Sequence, residues 1–231
     1  MDRRTFLAAS ALALGSSASA ADPKEKVKIV SSLPHVGAAK AQTDQIVNAI
    51  KMAIADFEKV VPFEVVYSDL DDASAKERGW DAGLEADNAR AAAGDKDVMV
   101  FIGPYNSGAA RWSAPILNHA GLVQITPSAS YPGLTKKDPL SDTDEPDRYR
   151  PSKKITFCRV CPHDGSQGPL SADFAAEELK AKSVYVLDDK ELYGSGAATG
   201  FKTRCEELKI KVLGHESVGI SRDYTTLLKK I

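Results

Sequence analysis

Residues 98–107 of the 231-residue chain read VMVFIGPYNS, and this stretch decides the class of fold. The first five residues are all apolar, which is typical of a short strand buried on both faces. Gly103 and Pro104 then form a sharp stop. A helix is predicted from about residue 107 to 119, followed by another strand at residues 122–125. A strand, a helix and a second strand in this order make one unit of an α/β sheet.

Similar units lie on the N-terminal side of this stretch. A strand is predicted at residues 27–32, and apolar residues then recur at helical spacing up to Pro62. The next strand is predicted at residues 63–67, followed by a polar turn at 69–75 and an alanine-rich helix at 82–93. This alternation predicts a parallel sheet with helices on both faces, in which ligands bind beyond the carboxyl ends of the strands.

Residues 127–152 interrupt this rhythm with a concentration of prolines and charged side chains. The acidic residues among them lack the central glycine and the terminal glutamate of a calcium-binding loop. We therefore expect a solvated surface excursion here.

A second α/β lobe is predicted after the excursion, with a hinge near residues 150–165. Strands are expected at 155–160, 184–187 and 210–213, and helices at 171–179, 192–208 and 224–231. The pattern stops at a helix with no following strand, so we expect this lobe to be C-terminally incomplete. The predicted organisation is a signal peptide at 1–20, an N-terminal α/β lobe at 21–150 and a partial second α/β lobe at 151–231.

The N-terminus predicts export. Arg3 and Arg4 precede an apolar run from Phe6 to Leu14, and a small-residue cleavage site follows at residues 18–20. The run is too short to span a bilayer as a stable helix. The two arginines favour the twin-arginine route over an ordinary Sec signal. Because no cysteine follows the cleavage site, we expect a soluble periplasmic protein without a lipid anchor.

The charge balance of the chain is mild, with 30 Lys and Arg against 32 Asp and Glu. Such a balance gives no reason to expect nucleic acid or an acidic membrane surface as a partner. Apolar residues make up 43% of the chain, which is enough for a sizeable core.

Three cysteines, Cys158, Cys161 and Cys205, leave at least one thiol without an intramolecular bridge. Cys158 and Cys161 have the spacing of a redox motif, and this keeps a thiol oxidoreductase as a remote alternative. They lie at the end of an apolar strand, however, and not at the helix N-terminus that would lower a thiol pKa. A second ligand pair for zinc is missing. We expect no metal and no cofactor.

Small hydroxyl side chains recur where strands end. Ser107 follows one strand, and Ser128 and Ser130 follow the next. A hydroxyl beside the free N–H groups of a helix N-terminus suits a carboxylate, and hydroxyl and carbonyl oxygens suit an ammonium. Helix capping and turn formation are the alternative reading of these serines. The four histidines are scattered, and no catalytic constellation is found in the sequence.

Four ordered motifs resemble the leucine/isoleucine/valine-binding protein family: VFIGPYNS at 100–107, TPSASYPGLT at 126–135, DGSQGP at 164–169 and DKELYGSG at 189–196. The resemblance runs from about Val27 to the last residue. It implies a two-lobed type I periplasmic binding fold without catalysis, and membrane subunits of an ABC transporter as partners.

The resemblance also implies roles for five residues. Ser107 and Ser130 match the positions that hold the carboxylate of the ligand. The carbonyl of Ser128 and the hydroxyl of Ser130 would receive the ammonium, and Tyr193 matches a tyrosine of the second lobe that closes on the ligand. Asp164 matches an acid that shapes the cleft near the hinge.

The chain also departs from the family pattern. A disulfide found in many members is absent, because Ser74 and Asn106 occupy the matching positions. The chain also ends before the segment that supplies the family's acidic partner of the ammonium. The expected ligand is a branched-chain or related amino acid. A short amide, urea or an aromatic carboxylate are alternative ligands, and a non-binding remnant is a third reading.

Overall fold

The computed structural model describes residues 25–139, 141–219 and 223–231. The predicted signal peptide at residues 1–20 lies outside these residues. In chain order the elements are β1 Lys26–Leu33, α1 Lys40–Phe57, β2 Glu64–Asp71, β3 Ala73–Ser74, β4 Gly79–Trp80, α2 Ala82–Gly94, β5 Val98–Ile102, α3 Ser107–His119, β6 Val123–Thr126, β7 Phe157–Arg159, α4 Gln167–Glu177, β8 Ser183–Asp188, α5 Leu192–Glu207, β9 Lys211–Ser217 and α6 Thr225–Leu228. Short 3₁₀ turns lie at Pro132–Leu134, Asp147–Tyr149 and Asp164–Ser166.

Five parallel strands form the larger sheet in the order β2-β1-β5-β6-β7. The strand order reverses between β1 and β5, because β2 is added on one side of β1, whereas β5, β6 and β7 are added on the other. Right-handed crossovers therefore place α1 on one face and α2 and α3 on the other. Such a reversal opens a crevice at the carboxyl ends of the strands. The predicted α/β fold with helices flanking a parallel sheet is confirmed.

The core of the larger sheet lies between its central strands and the pair of helices α2 and α3. Val98 and Phe101 of β5 are fully buried against Ala89 of α2 and Leu117 of α3. The alanine-rich face of α2 lets this helix lie close to its neighbour, since small side chains keep the helices near each other. Asp81 begins α2 by accepting the N–H groups of Gly83 and Leu84 at 2.8 and 3.1 Å.

The polar turn predicted at residues 69–75 is wrong. Strand β2 continues to Asp71, which lies opposite Leu33 of β1. The next residues form a hairpin in which β3 pairs with β4, with Ala73 opposite Trp80. The polar side chains in this stretch face the end of the sheet, where Ser31 donates a hydrogen bond to Asp69 at 2.7 Å. Their polarity reflects that position and not a turn.

The surface excursion expected at residues 127–152 is anchored in the core, so that the expectation of a solvated segment is wrong. Glu145 is completely buried, and it accepts the hydroxyl groups of Tyr131 and Tyr149. Leu134 and both tyrosines belong to a buried cluster with Phe157 of β7. Because the segment is rich in charged side chains, its sequence did not indicate that these few residues are buried.

The smaller sheet consists of β8 and β9, which are parallel and pair from Ser183 opposite Lys211 to Asp188 opposite Ser217. A separate buried cluster holds α4 and α5 beside it. Strand β7 lies within the range 151–231, yet it pairs with β6 of the larger sheet. The lobe boundary at residue 150 stays a prediction, and the pairing leads us to propose a crossing between the lobes after Arg159.

Candidate functional site

A cleft of about 790 Å³ lies between the larger sheet and the segments that lead into the smaller one. All five residues singled out in the sequence line it: Ser107, Ser128, Ser130, Asp164 and Tyr193. The first three come from loops that follow β5 and β6, and the other two come from residues after β7 and β8. We call this space the interlobe cleft.

Ser107 is placed by the abrupt end of β5. Gly103 has φ +134°, and a Cβ atom there would lie 2.3 Å from the carbonyl oxygen of Ser32, so only glycine fits. Two residues beyond the following proline, Asn106 stands before α3 without capping it through its side chain. The first N–H groups of a helix have no acceptors within the helix. The start of α3 therefore presents N–H groups and the Ser107 hydroxyl at the cleft.

The hydrogen bonds of Ser107 define what this hydroxyl can do. Its Oγ accepts the backbone N–H of Tyr131 at 3.2 Å. Among the described residues no acceptor takes the hydrogen of the Ser107 hydroxyl. A hydroxyl has one donor hydrogen, which here remains available for a ligand oxygen.

The loop after β6 is folded against the same end of the sheet. Thr126 donates its hydroxyl to the carbonyl of Pro104 at 2.7 Å and accepts the N–H of Ala129 at 2.8 Å. This pair of bonds joins the β5 and β6 loops. Ser128 and Ser130 are therefore held beside Ser107, as expected for neighbouring strand ends.

Ser130 and Asp164 are joined twice, although 34 positions separate them. The Ser130 hydroxyl donates a short hydrogen bond to Oδ2 of Asp164. In return, the N–H of Asp164 donates to the carbonyl of Ser130 at 3.0 Å. Burial raises the pKa of Asp164 above its ordinary value, whereas the Ser130 hydrogen bond and the charge of Arg159 oppose this shift.

Arg159 fixes the loop after β6 by hydrogen bonds, and it was not identified from the sequence. Its guanidinium donates to the carbonyls of Ser130 and Tyr131 at 2.7 and 3.0 Å and to the Thr135 hydroxyl at 3.0 Å. Burial lowers the pKa of Arg159. A charged residue within an otherwise apolar strand was the signal that could have identified it, because a buried arginine needs fixed partners.

Tyr193 lies on the opposite wall of the cleft, at the start of α5, and is 41% exposed. Gln167 of α4 donates to the Tyr193 hydroxyl at 3.0 Å. Leu170 and Phe174 of α4 line the same wall and are largely exposed. The wall that faces the serines is thus apolar and aromatic.

The cysteines are free, with Cys158 exposed, Cys161 half-buried and Cys205 buried. Cys161 lines the interlobe cleft. Burial raises the pKa of its thiol, and the charge of Arg159 opposes this effect. A raised pKa is the reverse of what a nucleophilic thiolate requires.

Within residues 25–139, 141–219 and 223–231, no group of three or more His, Cys, Asp or Glu side chains is arranged to hold a metal ion. In the same part of the chain, none of the helices combines the length and the apolarity needed to cross a bilayer.

The whole described fold matches one family of proteins. A family model described as "Periplasmic binding protein" matches residues 26–231. The Leu/Ile/Val-binding protein BraC3 of Rhizobium johnstonii is 28% identical over 172 residues, which cover 73% of this chain and 41% of that protein. A leucine-, isoleucine-, valine-, threonine- and alanine-binding protein of Pseudomonas aeruginosa is 31% identical over 135 residues, covering 58% of this chain and 32% of the relative.

Solved structures show the same likeness. A leucine binding protein LivK from Thermotoga maritima superposes with a TM-score of 0.71 at 25% identity, over 88% of this chain and 52% of that one. A solute binding protein of an ABC transporter from Rhodopseudomonas palustris, in complex with 3,4-dihydroxybenzoic acid, gives 0.71 at 20% identity, over 90% and 51% of the two chains, which shows the fold alone. The chain spans about half the length of these structures and less than half of the curated relatives. Over the length that it does span, the chain belongs to the periplasmic binding protein family.

Proposed function

We propose that the chain captures a branched-chain or related amino acid for an ABC transporter. Supporting this proposal, the relatives in Rhizobium johnstonii and Pseudomonas aeruginosa are named as binding proteins for such amino acids. The matched region includes the five described strands of the larger sheet and the β8–β9 pair of the smaller one.

One observation carries the proposal: the interlobe cleft presents hydrogen-bond donors and hydrogen-bond acceptors at neighbouring positions. The hydroxyl hydrogen of Ser107 and the N–H groups at the start of α3 suit a carboxylate. Because the Ser130 hydroxyl donates to Asp164, its oxygen can only accept from a ligand. Ser130 and Asp164 together suit an ammonium. The proposed role of Asp164 therefore goes beyond shaping the cleft, and Ser130 is assigned to the ammonium and not to the carboxylate.

The apolar wall of the cleft supports a hydrocarbon side chain on the ligand. Leu170 and Phe174 expose large apolar surfaces that a leucine-like or aromatic group would cover. An aromatic carboxylate is the second candidate ligand, since a neighbour of the same fold is described in complex with a dihydroxybenzoic acid. Such a ligand carries no cation for Asp164, and this difference separates the two candidates.

The proposed mechanism is closure of two lobes without a chemical step. A ligand that contacts both walls of the cleft favours the closed state by its differential affinity. Membrane subunits of the transporter would then recognise the closed form. Export through the predicted signal at residues 1–20, by the twin-arginine or the Sec route, would deliver the protein to the periplasm.

Calorimetry of the purified protein with leucine, valine, urea and benzoate tests the proposal. We expect binding of leucine or valine and loss of that binding in the double variant Ser107→Ala with Ser130→Ala, while circular dichroism stays unchanged. Each lost charge-assisted hydrogen bond should weaken affinity by roughly tenfold to a hundredfold. The matched control is Ser183→Ala at an exposed serine of β8. Unchanged affinity in the double variant would refute the assignment.

A further inference from the structure

A hydrogen bond between side chains joins the small β3–β4 hairpin, next to the larger sheet, to the start of α5 beside the smaller one. The indole Nε1–H of Trp80 donates to Oε2 of Glu191 at 3.1 Å. The two residues are separated by 111 positions, and both line a second cavity of about 570 Å³. This cavity adjoins the interlobe cleft at Tyr105 and Asn106, which line both spaces.

Trp80 is held rigidly on its own side. The N–H of its neighbour Asp81 donates to the carbonyl of Asp72 at 2.7 Å, and Asp81 also caps α2. The indole ring lies directly over α3, because a Cβ atom added to Gly108 would lie 2.5 Å from the ring. Gly108 follows Ser107, so the tryptophan contacts the same helix start that is proposed to receive the ligand.

Glu191 is held equally firmly on the other side. Its N–H donates to the Asp189 carboxylate at 2.9 Å, and its carbonyl accepts the N–H of Ser195 within α5. Tyr193, on the ligand-facing wall, is two residues away. The backbone on each side is fixed by hydrogen bonds, so a rotation of the lobes must be absorbed by the two side chains. An opening that moves the two segments apart by more than the Glu191 side chain can span breaks the Trp80–Glu191 hydrogen bond.

We propose that Trp80 and Glu191 form an interlobe latch that holds the ligand-free protein partly closed and aligns the start of α3 with Tyr193. The latch is a positioning device and contacts no ligand. Only its consequence for affinity rests on the proposed function: the apparent affinity depends on the fraction of molecules that are already closed. Breaking the latch lowers that fraction and speeds release of the ligand.

The chain offers a clean optical test, since its two tryptophans are Trp80 and Trp112. In a Trp112→Phe background, Trp80 is the sole tryptophan, and acrylamide quenching of its emission measures its accessibility without any ligand. We expect Glu191→Ala to increase quenching and shift the emission to the red. The matched control is Glu178→Ala at an exposed glutamate of the same lobe, which should change neither quantity.

A second variant separates loss of the latch from loss of folding. Trp80→Phe keeps an aromatic ring at this position, although a smaller one, and removes the N–H donor. Small-angle scattering of the ligand-free variant should show a larger radius of gyration at unchanged circular dichroism. If the protein binds an amino acid, Trp80→Phe and Glu191→Ala should weaken binding by roughly tenfold through faster dissociation.

The two proposals fail in distinguishable ways. Unaltered quenching in Glu191→Ala together with an unaltered radius of gyration in Trp80→Phe would overturn the latch, whatever the protein binds. Increased quenching and expansion in a protein that binds none of the tested amino acids would support the latch and contradict the ligand assignment alone.

Discussion

Glu145 is the buried anchor of the 127–152 segment, and its removal should be the most damaging single change in that segment. Its side chain is fully buried. Oε2 accepts the Tyr131 hydroxyl at 2.9 Å and the N–H of Asp142 at 3.2 Å, while Oε1 accepts the Tyr149 hydroxyl. The guanidinium of Arg111 lies 3.5 Å from Oε1. Glu145→Ala leaves these donors without their common acceptor.

The magnitude follows from the groups left behind. Each buried donor without a partner costs about 1–3 kcal/mol, and Glu145→Ala leaves two such donors, the hydroxyl groups of Tyr131 and Tyr149. We therefore expect Glu145→Ala to lower the free energy of unfolding by about 4 kcal/mol, which corresponds to a fall in Tm of roughly 10 °C for a chain of this size. Glu145→Gln keeps the shape and one acceptor oxygen, so its loss should be about half as large.

Urea unfolding followed by circular dichroism measures both losses. The control is Asp144→Ala, which removes an acid of the same segment that is exposed and paired with Arg148. Exposed ion pairs contribute about 1 kcal/mol or less. If Glu145→Ala destabilised the protein no more than Asp144→Ala, the anchoring role of Glu145 would be refuted. The Glu145 variants should also weaken ligand binding, because Tyr131 adjoins Ser130.

Two further predictions concern pH. Burial raises the pKa of Asp72 from 3.8 to about 7, and neither of its carboxylate oxygens has a hydrogen-bond partner among the described residues. The folded state therefore holds this proton where the unfolded state has lost it, so stability should fall as pH rises from about 4 to about 7, by up to about 4 kcal/mol. Between pH 5 and 7.5, urea unfolding should show about 2–3 kcal/mol of this change in the wild type and in the exposed-site control Asp56→Asn. The same loss of stability in Asp72→Asn would contradict the assignment. The pKa of Asp164 is also raised by burial, and only its ionised form attracts an ammonium. Affinity for leucine should therefore rise with pH through that pKa. Calorimetry should show a lower and pH-independent affinity in Asp164→Asn, and an unaltered pH dependence would exclude Asp164 from the ammonium site.

The sequence by itself determined the local elements and the order in which they build the sheet. The run at residues 98–102 is apolar throughout because β5 is a central strand of the larger sheet. The predicted helix at 107–119 coincides with α3. Ser107, Ser128 and Ser130 could be grouped in advance, since parallel strands bring their carboxyl ends to one edge. Each of these conclusions depends on a pattern that repeats within a short stretch of chain.

Only the tertiary structure decided which polar groups meet. Ser130 and Asp164 lie 34 positions apart, and Trp80 and Glu191 lie 111 apart. The burial of Glu145 requires two tyrosines of its own segment and Arg111 of α3. An apolar face can be identified in the sequence by its period of two or 3.6 residues, and any apolar partner of suitable size can cover it. A hydrogen bond needs one particular donor at one particular place, and no periodicity along the chain records that requirement.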